Sequence, residues 1–457
     1  MTGHYTYKQL IVALLLAVPM ALSAQVLTLD SCLNMARQNN FRLQKAAIEV
    51  EKAKQVKNQA LTKYFPQVTV TGAGYHSLYP LVEVGIDDVG NSAVRSLLNV
   101  LYGNFGAALG LHSTLSLFQY GYHAGVTAIQ PVFVGGKIVE GNKLAKVGVE
   151  AAQLQYDIAS RDALEEVEEA YYLVVGLKEK QQTIELAKTL LDTMYQVVSS
   201  AVEAGLALQS DLLQVELRQS EIHRNEIQLA NGLYLATRAL CLAIGIDDND
   251  SLDLSPMSYE KEVLVPGEEQ INLQTPEAQL LELQVKAAQL QKKMAIADAL
   301  PQILVGANYG YGRISTNLFR NDLGSKVGNG ALFVTMTIPI TQWWETGHKI
   351  KEHNLSIDAA KLEQADVQRK LQLRNTQSYH NMTEAALLVN EYQKSLDNAA
   401  ENYRLVNVNY RAGLATITDL LGAQTTHFKA QNELTDAKIA YLVALRRYLD
   451  LTNQNLK

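Results

Sequence analysis

The chain has 457 residues, of which 40 are Lys or Arg and 47 are Asp or Glu, so its formal net charge at pH 7 is −7. This acidic balance argues against nucleic-acid binding, and no nucleic-acid partner is expected. The two cysteines are too few for a disulfide framework. Cys32 and Cys241 are expected either to form one bond in an oxidising compartment or to remain two buried thiols.

Residues 1–24 have the pattern of a secretory signal peptide. They contain one charged residue, Lys8, then an apolar core from Leu10 to Leu22, then small residues. The segment is short and wrongly flanked for a membrane anchor, although an uncleaved anchor helix is the alternative. Because no later stretch contains about eighteen consecutive apolar residues, the sequence predicts an exported protein without a transmembrane helix.

The placement of the prolines predicts long helices. No proline lies between Pro131 and Pro256 or after Pro339, and proline breaks helix interiors. We expect a first helix near the N-terminus, then a helix over 137–203, which would be about 100 Å long, and a shorter return helix over 208–244. An apolar stripe with alternating three- and four-residue steps predicts coiled-coil packing of the long helix; it consists of Ile184, Ala187, Leu191, Met194, Val198 and Ala201.

Each predicted helical hairpin reverses at the phrase AGLA, which occurs twice in the chain. Its glycines, Gly205 and Gly413, supply the positive φ that a chain needs where one helix ends and another begins. Asp211 and Asp419 follow at the start of each return helix, where a carboxylate favours the free backbone amides and the helix dipole. The sequence therefore predicts two similar helical tips.

Fixed spacing between such features predicts two tandem copies of one unit. The tip glycines are 208 residues apart, whereas Pro66 and Pro301, which precede the predicted strands, are 235 apart. The difference of 27 residues indicates an insertion at about 83–118, which we interpret as a large extracellular loop. The predicted parts are the signal peptide 1–24; a first repeat 25–245, with a β-hairpin at about 66–134 and its tip near 205; an acidic linker 246–274; and a second repeat 275–457, with a β-hairpin at about 301–340 and its tip near 413.

Alternation with a period of two predicts β-hairpins that face lipid. Ile303 and Val305 alternate with small or polar residues such as Asn308, and Val334 and Met336 alternate with threonines. An apolar face opposite a small or polar face, in an exported chain, is typical of a membrane β-barrel. We therefore expect these strands to lie in a membrane.

Four strands do not close a barrel, for which about eight is the practical minimum, and lipid does not tolerate open edges. Three chains would supply about twelve strands, whereas two would make a barrel too narrow for a water-filled pore. The expected fold is mainly α with membrane β, in which three chains share one twelve-stranded barrel. The alternative is a pair of hairpins on a soluble helical stalk, which would leave unprotected edges.

Three motifs carry a resemblance to a known family. The chain resembles the TolC-like outer-membrane factors in three motifs, LTLDSCLNMARQNNFRL, AIQPVFVGGK and TIPITQWWETGHK, which occur in this order together with the twice-repeated tips. In the first motif, Phe41 replaces the proline that is usual after the asparagine. The resemblance implies a homotrimer in the bacterial outer membrane, whose barrel continues into a long periplasmic α-helical tunnel. It also implies that the linker 246–274 is an equatorial linker, part of a belt around that tunnel. It also implies a passive exit duct for tripartite efflux or type I secretion, which docks a periplasmic adaptor protein and an inner-membrane pump.

The same resemblance implies that the tips form a periplasmic entrance, closed by a Tyr–Arg–Asp network and by acidic rings. Tyr410 takes the Tyr position, Asp211 an Asp position and Asp419 one acidic ring. The gating Arg is replaced by Ala415. The periplasmic entrance is therefore expected to be held closed less firmly than in other members of this family.

Further tip residues complete this expectation. A second ring Asp is replaced by Gly422, and Arg411 is the candidate substitute for the missing gating Arg. Apolar knobs beside the glycines are expected to receive the helical tips of the adaptor. The expected docking residues are Gly205, Leu206, Gly413 and Leu414.

Two other classes of function compete with a channel. An enzyme is disfavoured because the sequence has no G-x-S-x-G or H-E-x-x-H motif, and GGK at 135–137 lacks the upstream glycine of a P-loop. No catalytic residue, cofactor or metal site is predicted. A non-channel periplasmic coiled-coil interaction protein is the remaining alternative, but such a stalk does not need strands with an apolar face.

Overall fold

The structure is a computed structural model of the chain, and it describes residues 26–79, 82–101, 114–117, 120–247, 252–255, 274–315 and 325–452. The predicted signal peptide lies outside the described residues. In chain order the elements are α1 (Leu29–Asn39), α2 (Phe41–Thr62), β1 (Gln67–His76), β2 (Val82–Gly85), α3 (Ser92–Leu101), β3 (Thr114–Leu117), β4 (Tyr120–Val134), α4 (Lys137–Glu203), α5 (Gln209–Ile244), α6 (Pro276–Ala297), β5 (Gln302–Ser315), β6 (Ser325–Thr337), α7 (Gln342–Arg411) and α8 (Ile417–Thr452).

Two very long helices dominate the chain. Helix α4 has 67 residues and α7 has 70, and after a short turn each is followed by a helix of 36 residues, α5 or α8. The predicted bounds of α4 are confirmed, and α5 begins one residue later than predicted because Leu208 is its N-cap. The apolar stripe of α4 packs inward as expected, since Ala187, Leu191 and Val198 are buried.

The N-terminal helix, predicted to run without a break over about 28–64, is interrupted at Asn40. The side-chain oxygen of Asn40 accepts hydrogen bonds from the backbone N–H groups of Arg42 (2.8 Å) and Leu43 (3.3 Å). Its side-chain amide donates to the carbonyl of Ala243 at 2.7 Å. An asparagine that caps the next helix competes with the continuing helix backbone. The cap that Asn40 provides therefore breaks the helix here, although no proline follows this residue.

The four long strands form one antiparallel sheet in the order β1-β4-β5-β6, so β1 and β6 are the edges of this sheet. The register shifts at a bulge between Pro131 and Phe133, near the end of β4. Proline has no N–H to give to a ladder, and a bulge is a place where a strand tolerates it. Both predicted β-hairpins are present, and they pair with each other through β4 and β5.

The insertion at about 83–118, predicted as a loop, contains regular structure. Strands β2 and β3 pair antiparallel, with Val82 opposite Leu117 and Gly85 opposite Thr114. Helix α3 follows β2 after a short 3₁₀ turn. Its N-terminus is capped by Asn91, whose side-chain oxygen accepts a hydrogen bond from the N–H of Ala93 at 3.0 Å. Residues 102–113 of the insertion lie outside the described part of the chain.

Helix α5 corrects one expectation. By length and composition alone it is apolar enough to cross a membrane, whereas no such helix was expected after the signal peptide. About a third of its apolar segment is buried in the protein. Leu240, Cys241 and Ile244 are fully buried in a cluster that α5 forms with α1 and α4.

The chain packs into two compact units. The first, which we call the helical unit, consists of residues 1–51, 151–282 and 363–457, and the second, the strand unit, of residues 52–150 and 283–362. Within the helical unit, Leu252 and Leu254 are buried in the cluster of α1, α4 and α5, and Leu27 pairs with Leu254 in a parallel bridge. These two leucines belong to the predicted equatorial linker, most of which lies outside the described residues.

Candidate functional site at the helical tips

Both tip turns have the same hydrogen-bonded geometry. Gly205 has a φ of 70° and Gly413 a φ of 74°, as predicted. The N–H of Leu206 donates to the carbonyl of Ala201, and the N–H of Leu414 donates to that of Asn409, each at 2.8 Å. A six-to-one bond of this kind around a left-handed glycine satisfies carbonyls that the helix end leaves free. The glycines thus allow each helix to end abruptly.

The return helices start with acidic caps, also as predicted. The carboxylate of Asp211 accepts a hydrogen bond from the N–H of Leu208 at 3.3 Å. The carboxylate of Asp419 accepts from both the N–H (2.9 Å) and the hydroxyl (2.6 Å) of Thr416. The N–H of Asp419 in turn donates to Thr416 Oγ1 at 3.1 Å, which completes a reciprocal capping box. Hydrogen bonding from Thr416 lowers the pKa of Asp419, so this exposed carboxylate is charged at neutral pH.

An apolar cluster, here called the tip cluster, packs the two helical hairpins together just behind the turns. It includes Leu212 and Leu420, which occupy the equivalent positions of the two tips and are both buried. A hydrogen bond of 2.7 Å from the Thr418 hydroxyl to the side-chain oxygen of Gln214 also joins α8 to α5. The buried members of the tip cluster are Leu191, Val198, Leu212, Val215, Ile417, Leu420 and Leu421.

The two expected docking leucines take no part in this packing. Leu206 is 84% exposed and Leu414 is 79% exposed, although both belong to the most apolar residue type. Large apolar side chains held at the very end of a rigid helical hairpin are available to another protein. The tip cluster therefore fixes the position of two leucines that this chain itself leaves uncovered.

The charge of Asp211 acts on Tyr410, whereas the charge of Arg411 acts on Tyr403. Tyr410 is half-buried against the tip cluster; its burial raises its pKa, and the negative charge of Asp211 raises it further. Burial likewise raises the pKa of Tyr403, where the positive charge of Arg411 acts in the opposite direction. Successive helix positions point about 100° apart, so the neighbours Tyr410 and Arg411 project from α7 in different directions.

Sequence reasoning missed two features near the tips. Thr416 and Thr418 contribute the hydrogen bonds described above. About two turns before the end of α7, the ring of Tyr403 stacks on that of His427, with centroids 5.9 Å apart and an interplanar angle of 6°. Burial lowers the pKa of His427, so the ring is neutral at physiological pH. A threonine three residues before the cap aspartate is a signal that could have revealed the capping box.

In the strand unit, the register confirms that the expected lipid-facing residues share one face of the sheet. Directly opposed residues in an antiparallel pair lie on the same face. Asn308, opposite Ala331, lies on the other face, where its side-chain oxygen accepts a hydrogen bond from the Ala331 N–H at 3.1 Å. The opposed pairs of the expected lipid face are Ile303 with Met336 and Val305 with Val334. Val305, Val334 and Met336 are exposed.

Comparison with known proteins identifies the family. Residues 32–246 and 269–453 match the family described as "Outer membrane efflux protein". Outer membrane protein TolC of Vibrio cholerae is 19% identical over 302 residues, which are 64% of this chain and 68% of that protein. The alkaline protease secretion protein AprF of Pseudomonas aeruginosa is 24% identical over 305 residues, which are 63% of this chain and 60% of that protein.

A solved structure shares the fold. The CmeC outer membrane channel of Campylobacter jejuni superposes with a TM-score of 0.74 and 15% identity, over 94% of this chain and 87% of that one. TolC and CmeC are named as an outer membrane protein and an outer membrane channel, and the present chain is accordingly placed in the bacterial outer membrane. The family match extends over both helical hairpins and the sheet. The chain therefore belongs to the outer membrane efflux protein family.

Proposed function

We propose that three copies of this chain close a twelve-stranded barrel in the outer membrane and a helical tunnel below it. As a member of its family, the chain is the outer-membrane duct of an efflux or secretion system. The sheet carries the proposal: its four strands have an exposed apolar face, and β1 and β6 are unpaired edges in a single copy. Joining β6 of one copy to β1 of the next removes every such edge, which lipid requires.

The number three follows from barrel dimensions. A barrel of about eight strands is filled by its own side chains, whereas water-filled pores need more strands. Three copies give about twelve strands, within the range known for outer-membrane barrels. The face that includes Asn308, Thr335 and several glycines would then line the pore, and the face with Val305 and Val334 would contact lipid.

The tips would form the periplasmic entrance of this duct. Three copies would bring about six tips together, and their exposed Leu206 and Leu414 would dock the helical tips of a periplasmic adaptor that links the duct to an inner-membrane pump. Apolar side chains on a rigid, otherwise polar surface are the kind of anchor that protein interfaces use. The two tips of one chain are similar in geometry, so one type of adaptor hairpin fits both.

Charge at the entrance would select cations. Asp419 is exposed and ionised at neutral pH, and three copies would place about three negative charges around the mouth. Such a ring concentrates cations and repels anions where the surrounding walls have a low dielectric. Because Ala415 stands where related channels would have the gating Arg, the interaction between Tyr410 and Asp211 would hold the mouth without its cationic partner, and a resting conductance is expected.

The oligomeric state tests the proposal directly. Light scattering of the detergent-purified, full-length protein should give three chains per particle, with the detergent contribution subtracted. The same particles should produce a steady conductance in a planar lipid bilayer. A monomer with intact strand content, or a protein that is extracted into buffer without detergent, would instead support a periplasmic coiled-coil interaction protein.

A further inference from the structure

The two cysteines of the chain lie in one buried core, where both carry reduced thiols in this structure. Cys32 lies on α1 and Cys241 lies near the end of α5, and both side chains have no solvent exposure. They belong to the same buried cluster, which α4 completes from a third side. They are also the chain's only cysteines, so neither has another intramolecular thiol as a competing partner.

Close contacts fix α1 against the end of α5. The side-chain amide of Asn40 donates to the carbonyl of Ala243 at 2.7 Å. Gly245, with a φ of 73°, ends α5 so close to α1 that an added Cβ would lie 2.5 Å from the carbonyl oxygen of Asn39. These contacts leave little freedom for the two helices to separate. The two thiols therefore stay within the same buried cluster in the folded chain.

Cys241 also acts electrostatically on Cys32. Burial, with a further contribution from Cys241, raises the pKa of the Cys32 thiol to about 11. A thiol reacts through its thiolate, so the folded chain gives Cys32 almost no reactivity at neutral pH. Any bond between these cysteines has to form before the core closes around them.

We propose that Cys32 and Cys241 form a disulfide bond as the exported chain folds in the periplasm. Each thiol gives up one proton and one electron, and an S–S bond forms between them. A disulfide-bearing oxidant, such as a protein disulfide oxidase or oxidised glutathione, takes up the two electrons and two protons and becomes a pair of thiols. The periplasm is a compartment in which such bonds form and persist.

The bond would close a very large loop. Residues 33–240, which include β1 to β4, all of α4 and most of α5, lie between the two cysteines. A crosslink across so long a loop restricts the unfolded chain strongly. It would tie the short N-terminal helix to the end of the first helical hairpin. This inference does not depend on the channel proposal, because it concerns the core of a single chain.

Thiol trapping tests the bond on the unmodified protein. Full-length protein from outer membranes is quenched with acid, denatured, and treated with a polyethylene-glycol maleimide, with or without prior reduction by a phosphine. We expect no mass shift without the reductant and two adducts per chain with it. A wild-type chain that acquires two adducts without reduction would overturn the proposal, whatever the behaviour of any variant.

Single variants supply the matched control. Cys32→Ala and Cys241→Ala should each leave one thiol that reacts without reduction. Because either substitution removes the same bond, both single variants and the double variant should lower the melting temperature by equal amounts. Losses that add in the double variant would show two independent buried thiols, and would contradict a bond between them.

Discussion

Tyr410 and Asp211 belong to different helical hairpins, yet the carboxylate of Asp211 is near enough to raise the pKa of Tyr410. Tyr410 is therefore a neutral phenol at physiological pH. This electrostatic interaction acts between α7 and α5 at the level of the tips. A movement that widens the proposed entrance by separating the hairpins would weaken it.

Removing the Tyr410 hydroxyl should therefore loosen the entrance. We expect Tyr410→Phe to raise the resting conductance in a planar bilayer, because it removes the phenol hydroxyl on which the Asp211 charge acts across the two hairpins. Tyr403→Phe, two turns earlier on the same helix, is the control. Its ring stacks on His427, and the charge that acts on its hydroxyl is that of Arg411, so the conductance of this variant should equal that of the wild type. Equal effects of the two substitutions would place the constriction elsewhere.

Neutralising the proposed acidic ring should weaken cation selectivity. Asp419→Asn removes about three negative charges from a trimer while keeping an acceptor oxygen for the cap. The cation-to-anion permeability ratio, measured from reversal potentials in a salt gradient, should fall towards one. Asp211→Asn should lower it less, because Asp211 is half-buried and Asp419 is exposed. An unchanged ratio in Asp419→Asn would make this residue a helix cap and nothing more.

The two faces of β5 should respond differently to the same charge. An arginine on the lipid face near the middle of the bilayer costs about 2–4 kcal/mol. Val305→Arg should therefore reduce the yield of assembled trimer in the outer membrane, whereas Asn308→Arg, on the opposite face of the same strand, should be tolerated. Heat-modifiable mobility on gels measures the assembled fraction. Equal tolerance of both substitutions would reverse or abolish the proposed assignment of faces.

Replacing each of two glycines of the second hairpin with alanine should change the local stability of the tip in opposite directions. Gly413 has a φ of 74°, whereas Gly422 is helical and an added Cβ there meets nothing within 4 Å. A left-handed alanine costs about 1–2 kcal/mol, and alanine in a helix interior gains about 0.5–1 kcal/mol over glycine. Hydrogen–deuterium exchange of the second tip should therefore become faster in Gly413→Ala and slower in Gly422→Ala. Unchanged or slower exchange in Gly413→Ala would contradict the importance of the left-handed conformation there, since an added Cβ has open space at both positions.

Glu168 should make stability depend on pH. Burial raises the pKa of Glu168 to about 7 from 4.5, against the lowering effect of Arg446, whose Nε lies 3.1 Å from its carboxylate. A carboxyl group with a raised pKa contributes stability that is complete below pH 4.5 and is lost as the pH rises through 7. This loss amounts to about 3 kcal/mol per chain.

Replacing Glu168 should remove most of this dependence. The Glu168→Gln variant should melt at a higher temperature than the wild type near pH 8 and at a similar temperature near pH 5. Glu185→Gln, on the exposed face of the same helix, should leave the pH profile unchanged. A wild type whose melting temperature rises with pH through this window would contradict the sign of the effect.

The long helices were predictable because one strong rule governs them. A stretch of good helix formers without proline has few alternatives, and the bounds of α4 followed from this alone. The break at Asn40 was missed because it depends on one side chain that caps the following helix and also binds Ala243, far away in the sequence. Local propensity does not reveal a partner of that kind.

For the tip residues, too, the features set by local chemistry could be predicted from the sequence, and those set by distant partners could not. Positive φ at Gly205 and Gly413 and the acidic caps follow from local chemistry, and the structure confirms them. The role expected for Arg411 came from its position beside Tyr410 in the sequence. Adjacency in the sequence does not give a shared face on a helix, and the functional roles of these residues stay predictions until the entrance is measured.

The capping of the two tips is unequal, although their sequences repeat. Thr416 provides both a hydroxyl and an N–H to the cap of the second tip, whereas Leu208 provides only an N–H to that of the first. A side-chain cap is worth about 1 kcal/mol, or about fivefold in a local opening equilibrium. Around a threefold axis, soft and stiff tips would therefore alternate. Hydrogen exchange should be faster at 203–208 than at 411–416, and an adaptor that remodels the entrance would meet the weaker resistance at Leu206.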